Sequence, residues 1–289
     1  MKENFISKIF NKKNRKNNDV SFYKNETLYF LHIAKTAGTS LINILDQYYE
    51  ADEISPVTLS HQITEMGPDA LLNYKLIRGH LGCAPINIFN QYNKKINIVT
   101  FLRDTVLRSI SHYNHLIRHK DHWLYNHLPS GNLTLAEFLQ FPPARKLITN
   151  FQTRNLALYF ELLNKVFYDE NGNKLSNNMG NLLTFAKLPK IYNHSDYLLD
   201  NAKKTLDKAR FVGITEYFSE SVNVMMQEIF PFQKNTDYFE NIAPSVMLSK
   251  MDVTDKEINE IRDLNNLDIE IYEYAKEIFK KMKKSTKYS

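Results

Sequence analysis

The stretch "LYFLHIAKTAGTSLINIL", residues 28–45, passes from an apolar run through a short loop of small and hydroxylated residues into an amphipathic segment. A strand feeding a tight turn and then a helix is the unit of open α/β sheets, whose ligands bind beyond the carboxyl ends of the strands. Between 34 and 39 only Lys35 is large, so the backbone at Ala37 and Gly38 leaves room for a ligand to approach closely, and a helix beginning near Ser40 adds its positive end. An anion suits such a loop. Lys35 supplies a point charge to it, and Thr36, Thr39 and Ser40 supply hydroxyl donors. An ordinary strand-to-helix turn with an exposed lysine satisfies the same pattern. The triphosphate loop G-x-x-x-x-G-K-[ST] does not, because Lys35 stands three residues before Gly38.

Outward from this stretch the pattern repeats. The runs 27–33, 74–80, 96–102 and 210–215 are short, nearly continuous in hydrophobicity and rich in β-branched or aromatic residues, as strands buried on both faces should be. Helical spacing joins Leu41, Ile44, Leu45 and Tyr48, then Val106, Ile110, Tyr113 and Ile117, then Leu198, Ala202, Leu206 and Ala209. The alternation predicts an α/β fold with a parallel central sheet flanked by helices. A last helix is expected from Thr254, with Glu257 completing a capping box and Ile258, Ile261, Leu264 and Leu267 continuing one apolar stripe. Two polar, turn-rich segments, 120–134 and 169–194, read as surface insertions in a single domain spanning 25–289.

Charge places the basic residues at the ends. Residues 1–24 carry seven Lys/Arg against two acids and residues 275–289 six against one, so the net +5 of the chain leaves its middle acidic. The first 24 residues are therefore expected to be a basic, flexible tail. Both tails suit peripheral contact with a membrane, and nucleic acid is not an expected partner. No window approaches the roughly 18 apolar residues of a membrane span, and the start of the chain lacks the pattern of a signal peptide. One cysteine, Cys83, excludes an internal disulfide framework. These features lead to the expectation of a soluble, cytoplasmic protein.

A second stretch, "INIVTFLRDTVLRSISHYNHL" (96–116), sets Arg103 at the end of a buried strand and Ser111 eight residues later in a helix. Here the chain becomes recognisable. "HIAKTAGTS" (32–40) resembles the 5′-phosphosulfate loop of sulfotransferases, and "FLRDTVLRSIS" (101–111) resembles their 3′-phosphate motif. "NFQTRNLAL" (150–158), "RFVGITEYFSESV" (210–222) and the run from Glu240 to Ala275 look like segments of the heparan sulfate 2-O- and 6-O-sulfotransferase superfamily. Ala34 stands where that family usually has proline or glutamine, and Ala37 where it often has a second glycine.

The resemblance implies a P-loop nucleotide-kinase-like sulfotransferase fold and a donor, 3′-phosphoadenosine 5′-phosphosulfate (PAPS), leaving adenosine 3′,5′-bisphosphate as product. It implies that Lys35, Thr36, Ala37, Gly38, Thr39 and Ser40 cradle the 5′ side, that Arg103 and Ser111 hold the 3′-phosphate, and that Ser245 in the C-terminal loop reaches the donor. Lys35 is then the stabiliser of the leaving oxygen. No metal is required. His80 ends the strand "YKLIRGH" at the position of the family's catalytic histidine, and an imidazole suits the activation of a hydroxyl. A histidine that merely closes a strand fits the same place, with Glu53, Glu65 and Asp69 as alternative bases. His112, His115, His119 and His122 share one helix face; this favours an acceptor cleft over a zinc site, and His115 resembles a substrate-contacting position. Trp123 and Tyr125 are placed to stack on a sugar or to pack internally, and Arg78, Arg118, Arg145 and Arg154 are the arginines expected to line a basic cleft. The expected reaction is sulfuryl transfer to a carbohydrate hydroxyl, the acceptor being a glycan or another hydroxyl-bearing molecule. The alternatives are a small-molecule kinase on a related fold and a non-catalytic glycan-binding protein that retains the nucleotide pocket.

Overall fold

The structure, a computed structural model, describes residues 26–119, 122, 124–125, 133–157, 195–231, 249 and 252–286. Strands β1 (Thr27–Leu31), β2 (Leu76–Gly79), β3 (Ile96–Leu102) and β4 (Phe211–Ile214) form one parallel sheet in the order β2-β1-β3-β4. They occupy the four expected runs, shortened by up to two residues at an end. Leu28, Tyr29, Phe30 and Leu31 are all buried, as are Val99, Phe101 and Leu102, because helices cover both faces of the sheet.

Those helices are α1 (Gly38–Leu45), α2 (Ser60–Met66), α3 (Ala84–Gln91), α4 (Thr105–Arg118), α5 (Leu135–Gln140), α6 (Pro142–Ile148), α7 (Phe151–Ala157), α8 (Ser195–Lys208), α9 (Phe218–Ile229), α10 (Asp255–Asp263) and α11 (Asn266–Thr286). The chain leaves β1 for β2 on one side and returns across β1 to β3 on the other. The winding reverses between β1 and β3, and such a reversal opens a crevice at the carboxyl ends of the two strands. Residues 32–37 and Arg103–Asp104 both emerge into it. The main core surrounds the sheet, and a second apolar cluster joins Val106, Ile110, Tyr113 and Leu116 of α4 to Phe138, Leu139, Leu147, Ile148 and Ile261.

Thr254 and Glu257 form the expected capping box: Thr254 Oγ1 accepts the Glu257 N–H at 3.3 Å, and the Thr254 N–H donates to Glu257 Oε2 at 2.9 Å. The single last helix expected from the apolar stripe is corrected to two, α10 and α11. Asn265 makes the break. Fully buried, its amide donates to the Ile261 carbonyl at 2.7 Å and its side-chain oxygen accepts the Asn150 N–H at 2.8 Å, so the polar groups of the interruption are satisfied internally. Asn150 Oδ1 in turn accepts the Leu267 and Asp268 N–H groups that open α11, at 3.0 and 3.3 Å. The Asp268 carboxylate accepts the Gln152 and Thr153 N–H groups that open α7, at 3.0 and 2.8 Å. Each helix caps the other.

Residues 1–24, the 169–194 segment and most of the 120–134 segment lie outside the described residues.

Candidate active site

Lys35 (φ 74°) and Ala37 (φ 62°) both hold left-handed backbone, which folds the loop sharply between β1 and α1. The helix begins at Gly38, earlier than Ser40, with Ala37 as its N-cap and no side chain capping it. Its first-turn N–H groups therefore face the crevice as anion donors. Thr36 is buried and its hydroxyl donates to the Ile33 carbonyl at 2.9 Å, so the hydroxyl fixes the loop and only the Thr36 backbone is left to meet a ligand. Gly38 leaves room for the His32 ring: a Cβ there would lie 1.7 Å from His32 Nε2.

Arg103 enters the crevice from β3. Its Nη1 donates to the Lys35 carbonyl at 3.1 Å, which ties the end of β3 to the loop after β1. Its buried Nε lies 3.9 Å from Glu216 Oε1 and has no hydrogen-bond partner among the described residues. Glu216 is itself engaged, accepting the Asp104 N–H at 3.1 Å and the Tyr272 hydroxyl at 2.8 Å. The arginine backbone is gripped by fully buried Gln152, whose amide oxygen accepts the Arg103 N–H at 2.9 Å and whose amide nitrogen donates to the Arg103 carbonyl at 2.8 Å.

Cations crowd this place. Burial, with the charges of Arg118, Arg103 and Arg108, pulls the Lys35 ammonium down to about 8. Arg108 is fully buried, lies 4.8 Å above the Phe151 ring and donates to the Ile148 carbonyl at 3.1 Å, and burial brings it to about 10. Fully buried Asp268 offsets part of this charge at Arg108, and the remaining positive charge at Lys35 and Arg103 suits an anion. Ser111 lies half-buried on α4, one helical turn after Arg108.

His80 follows β2. Gly79 (φ 145°) allows it to do so, because a Cβ there would come within 2.5 Å of the Thr58 carbonyl oxygen. The His80 N–H donates to that same carbonyl at 2.8 Å, and the Ser60 hydroxyl donates to the His80 carbonyl at 3.1 Å. Its Nδ1 lies 3.0 Å from the His32 carbonyl oxygen. Burial lowers its pKa, the His32 hydrogen bond works against that, and Lys35 adds to it, so the ring is neutral near pH 7. The His32 ring packs against it at 4.2 Å between centroids, itself held neutral by burial.

Along α4, Arg108, His112, His115 and His119 fall on one face. His112 is buried, with neither ring nitrogen hydrogen-bonded among the described residues, and His115 is half-buried with its pKa brought to about 3, first by burial and then by Lys35 and its histidine neighbours. Among the described residues no group of three His, Cys, Asp or Glu is placed to hold a metal ion. Arg154, expected to line the acceptor cleft, is instead buried beside Phe151 with Nη2 donating to the Lys146 carbonyl at 2.5 Å, because α7 turns it inward toward Asp268. Arg78 is likewise spent, in a forked pair with Asp46 at 2.5 and 2.8 Å. Trp123 and Ser245 lie outside the described residues. His32, Gln152, Glu216 and Asp268 were not foreseen; the nearest sequence signal was the polar run at 150–155 inside an otherwise apolar neighbourhood.

No family model matches the chain. Among curated proteins it is 26% identical over 194 residues to heparan-sulfate 6-O-sulfotransferase 1-B of Danio rerio, covering 64% of this chain and 44% of the relative. The Homo sapiens heparan-sulfate 6-O-sulfotransferase 1 matches at the same identity and coverage. Heparan-sulfate 6-O-sulfotransferase 2 of Gallus gallus is 29% identical over 196 residues, 63% of this chain and 43% of the relative. The chain thus spans less than half the length of the relatives it matches. No helix among the described residues is long and apolar enough to cross a membrane. The expected cytoplasmic placement is corrected: these relatives are enzymes of heparan sulfate, whose sulfation belongs to the Golgi, and a single cysteine does not weigh against that. With the Lys35 loop and Arg103 meeting at one crevice of a parallel sheet, the chain resembles the heparan-sulfate 6-O-sulfotransferases over 64% of its length.

Proposed function

We propose that this chain transfers a sulfuryl group from PAPS to a hydroxyl of a carbohydrate acceptor. One observation carries the reading: the β1/β3 crevice joins Lys35 and Arg103 through a 3.1 Å hydrogen bond, inside a cluster of buried cations. The donor's two anionic ends match the two motifs. The uncapped start of α1 and Lys35 would hold the 5′-phosphosulfate, and Arg103 with Ser111 the 3′-phosphate. The donor supplies the sulfuryl group. On the protein side, His80 Nε2 takes the acceptor's proton as its oxygen bonds to sulfur, and the Lys35 ammonium meets the charge that grows on the departing phosphate oxygen. His115 and Trp123 are assigned to the acceptor.

The test is thermal melting followed by turnover. Adenosine 3′,5′-bisphosphate should raise the melting temperature and ATP with magnesium should not. PAPS with a panel of heparan-type oligosaccharides should give a sulfated product. Stabilisation by ATP with phosphorylated product would make the protein a kinase, and bisphosphate binding with no product from any glycan would make it a binding protein.

A further inference from the structure

Arg103 is the first residue past the end of β3, so its backbone N–H and C=O have no strand beside them. Gln152 takes the place of that strand. Its amide oxygen and nitrogen meet the two backbone groups at 2.9 and 2.8 Å, as the facing residue of a ladder would. A side-chain amide has one acceptor and one donor at the spacing required, which no carboxylate or hydroxyl offers. We propose that Gln152 is a positioning residue that aims the Arg103 guanidinium into the crevice and so sets the preference of the site for a 3′-phosphorylated nucleotide. This deepens the proposed sulfotransferase reading and rests on it.

Everything behind Gln152 is built to keep it still. Its own N–H donates to Asp268 Oδ2 at 3.0 Å, and the neighbouring Thr153 gives Asp268 Oδ1 both its N–H and its hydroxyl at 2.8 Å. Asp268 is fully buried, and the charges of Arg108 and Arg154 act on it from the same interior. Asn150 closes the circuit by capping α11. In front, Arg103 has its Nη1 on the Lys35 carbonyl, with its Nε at 3.9 Å from Glu216. A tilt of the Arg103 backbone would therefore carry the guanidinium away from the phosphate loop.

The experiment compares adenosine 3′,5′-bisphosphate with adenosine 5′-monophosphate, which lacks the 3′-phosphate, by calorimetry on wild type, Gln152→Leu and Gln152→Glu. Wild type should prefer the bisphosphate. Gln152→Leu should erode that preference by about tenfold, the scale of one charge-assisted hydrogen bond, while monophosphate affinity holds. Gln152→Glu keeps an acceptor for the Arg103 N–H and loses the donor, so it should fall between, and it decides the matter should the leucine variant not fold. A general structural role would weaken both ligands equally, and that result, or an unchanged preference, overturns the proposal. Wild type with no preference for the bisphosphate would overturn the sulfotransferase reading along with it.

Discussion

His80 Nδ1 lies 3.0 Å from the main-chain oxygen of His32, and a carbonyl oxygen only accepts, so the ring nitrogen facing it carries the proton. The hydrogen bond chooses the tautomer. Nε2 is left with the lone pair that a base needs, on a ring kept neutral chiefly by burial. His80→Asn should therefore lower turnover by roughly 10² or more, the usual contribution of a general base, and leave bisphosphate affinity unchanged. Turnover at saturating donor and acceptor, measured beside calorimetric affinity, checks this; a folded variant with wild-type turnover removes His80 from the mechanism.

Lys35 should impose the alkaline limb of the pH profile. In the free protein its pKa falls to about 8, so above that pH the ammonium is progressively lost and kcat/KM should decline. An acidic limb set by His80 should lie below the ordinary histidine value, since burial lowers its pKa. The sign for stability follows from the same shift. Between about 8 and the ordinary 10.5 the unfolded chain binds more protons at this lysine than the folded one, so its contribution to stability rises with pH through that window. Saturating bisphosphate should flatten the rise, and calorimetry at pH 9 in buffers of different ionisation enthalpy should show proton uptake on binding.

The same lysine should divide binding from chemistry. Its charge matches the leaving oxygen best when the bond is broken, so Lys35→Ala should lower kcat by a larger factor than it lowers donor affinity. Single-turnover rates at saturating PAPS decide it. Loss of affinity with kcat preserved would make Lys35 an anchor only.

Arg103→Ala should weaken the bisphosphate more than tenfold, as the loss of a forked charge-assisted pair costs at least about 2 kcal/mol. The buried Nε without a hydrogen-bond partner among the described residues is the specific reason to expect a ligand oxygen there. Titration calorimetry giving wild-type affinity in a folded Arg103→Ala protein would detach the strand-end motif from the phosphate.

The strands were legible because each is apolar on both faces, and a continuous run such as "INIVTFL" has few other places to go. Lys35 and Arg103 were legible because their neighbours are small or lie at a strand end, local features that a sequence displays. What could not be read is what distant segments do to one another. Gln152 and Asp268 lie more than a hundred residues apart and meet only because two short helix starts face each other. The inward turn of Arg154 has the same origin, since charge alone suggests a surface and only the packing of α7 takes it inside. The break at Asn265 was hidden by an apolar stripe that carries on past it, the interruption being made by hydrogen bonds from Asn150 and to Ile261 and not by any helix breaker.

Gly38 and His32 give the last prediction. The Lys35 loop and His80 are separated by a single ring: His32 stacks on Phe30 at 5.2 Å and packs on His80 at 4.2 Å, and its Nε2 fills the space above Gly38. A methyl group on Gly38 would lie 1.7 Å from that nitrogen. Swinging the ring away would give up its packing on His80 and Phe30, so the added methyl group sets that loss against a shift of the start of α1. Overpacking of this kind costs typically about 1–3 kcal/mol. Gly38→Ala should therefore lower the melting temperature and also slow turnover, by displacing Lys35 relative to His80. Removing the obstacle should reverse part of the damage: His32→Ala, added to Gly38→Ala, should restore melting temperature toward that of His32→Ala alone. Such non-additivity is the mark of direct contact, and melting curves of the four proteins in the cycle measure it. Additive losses, or a Gly38→Ala protein that melts with wild type, would show that the loop has slack there and that His32 does not set the distance between the Lys35 loop and His80.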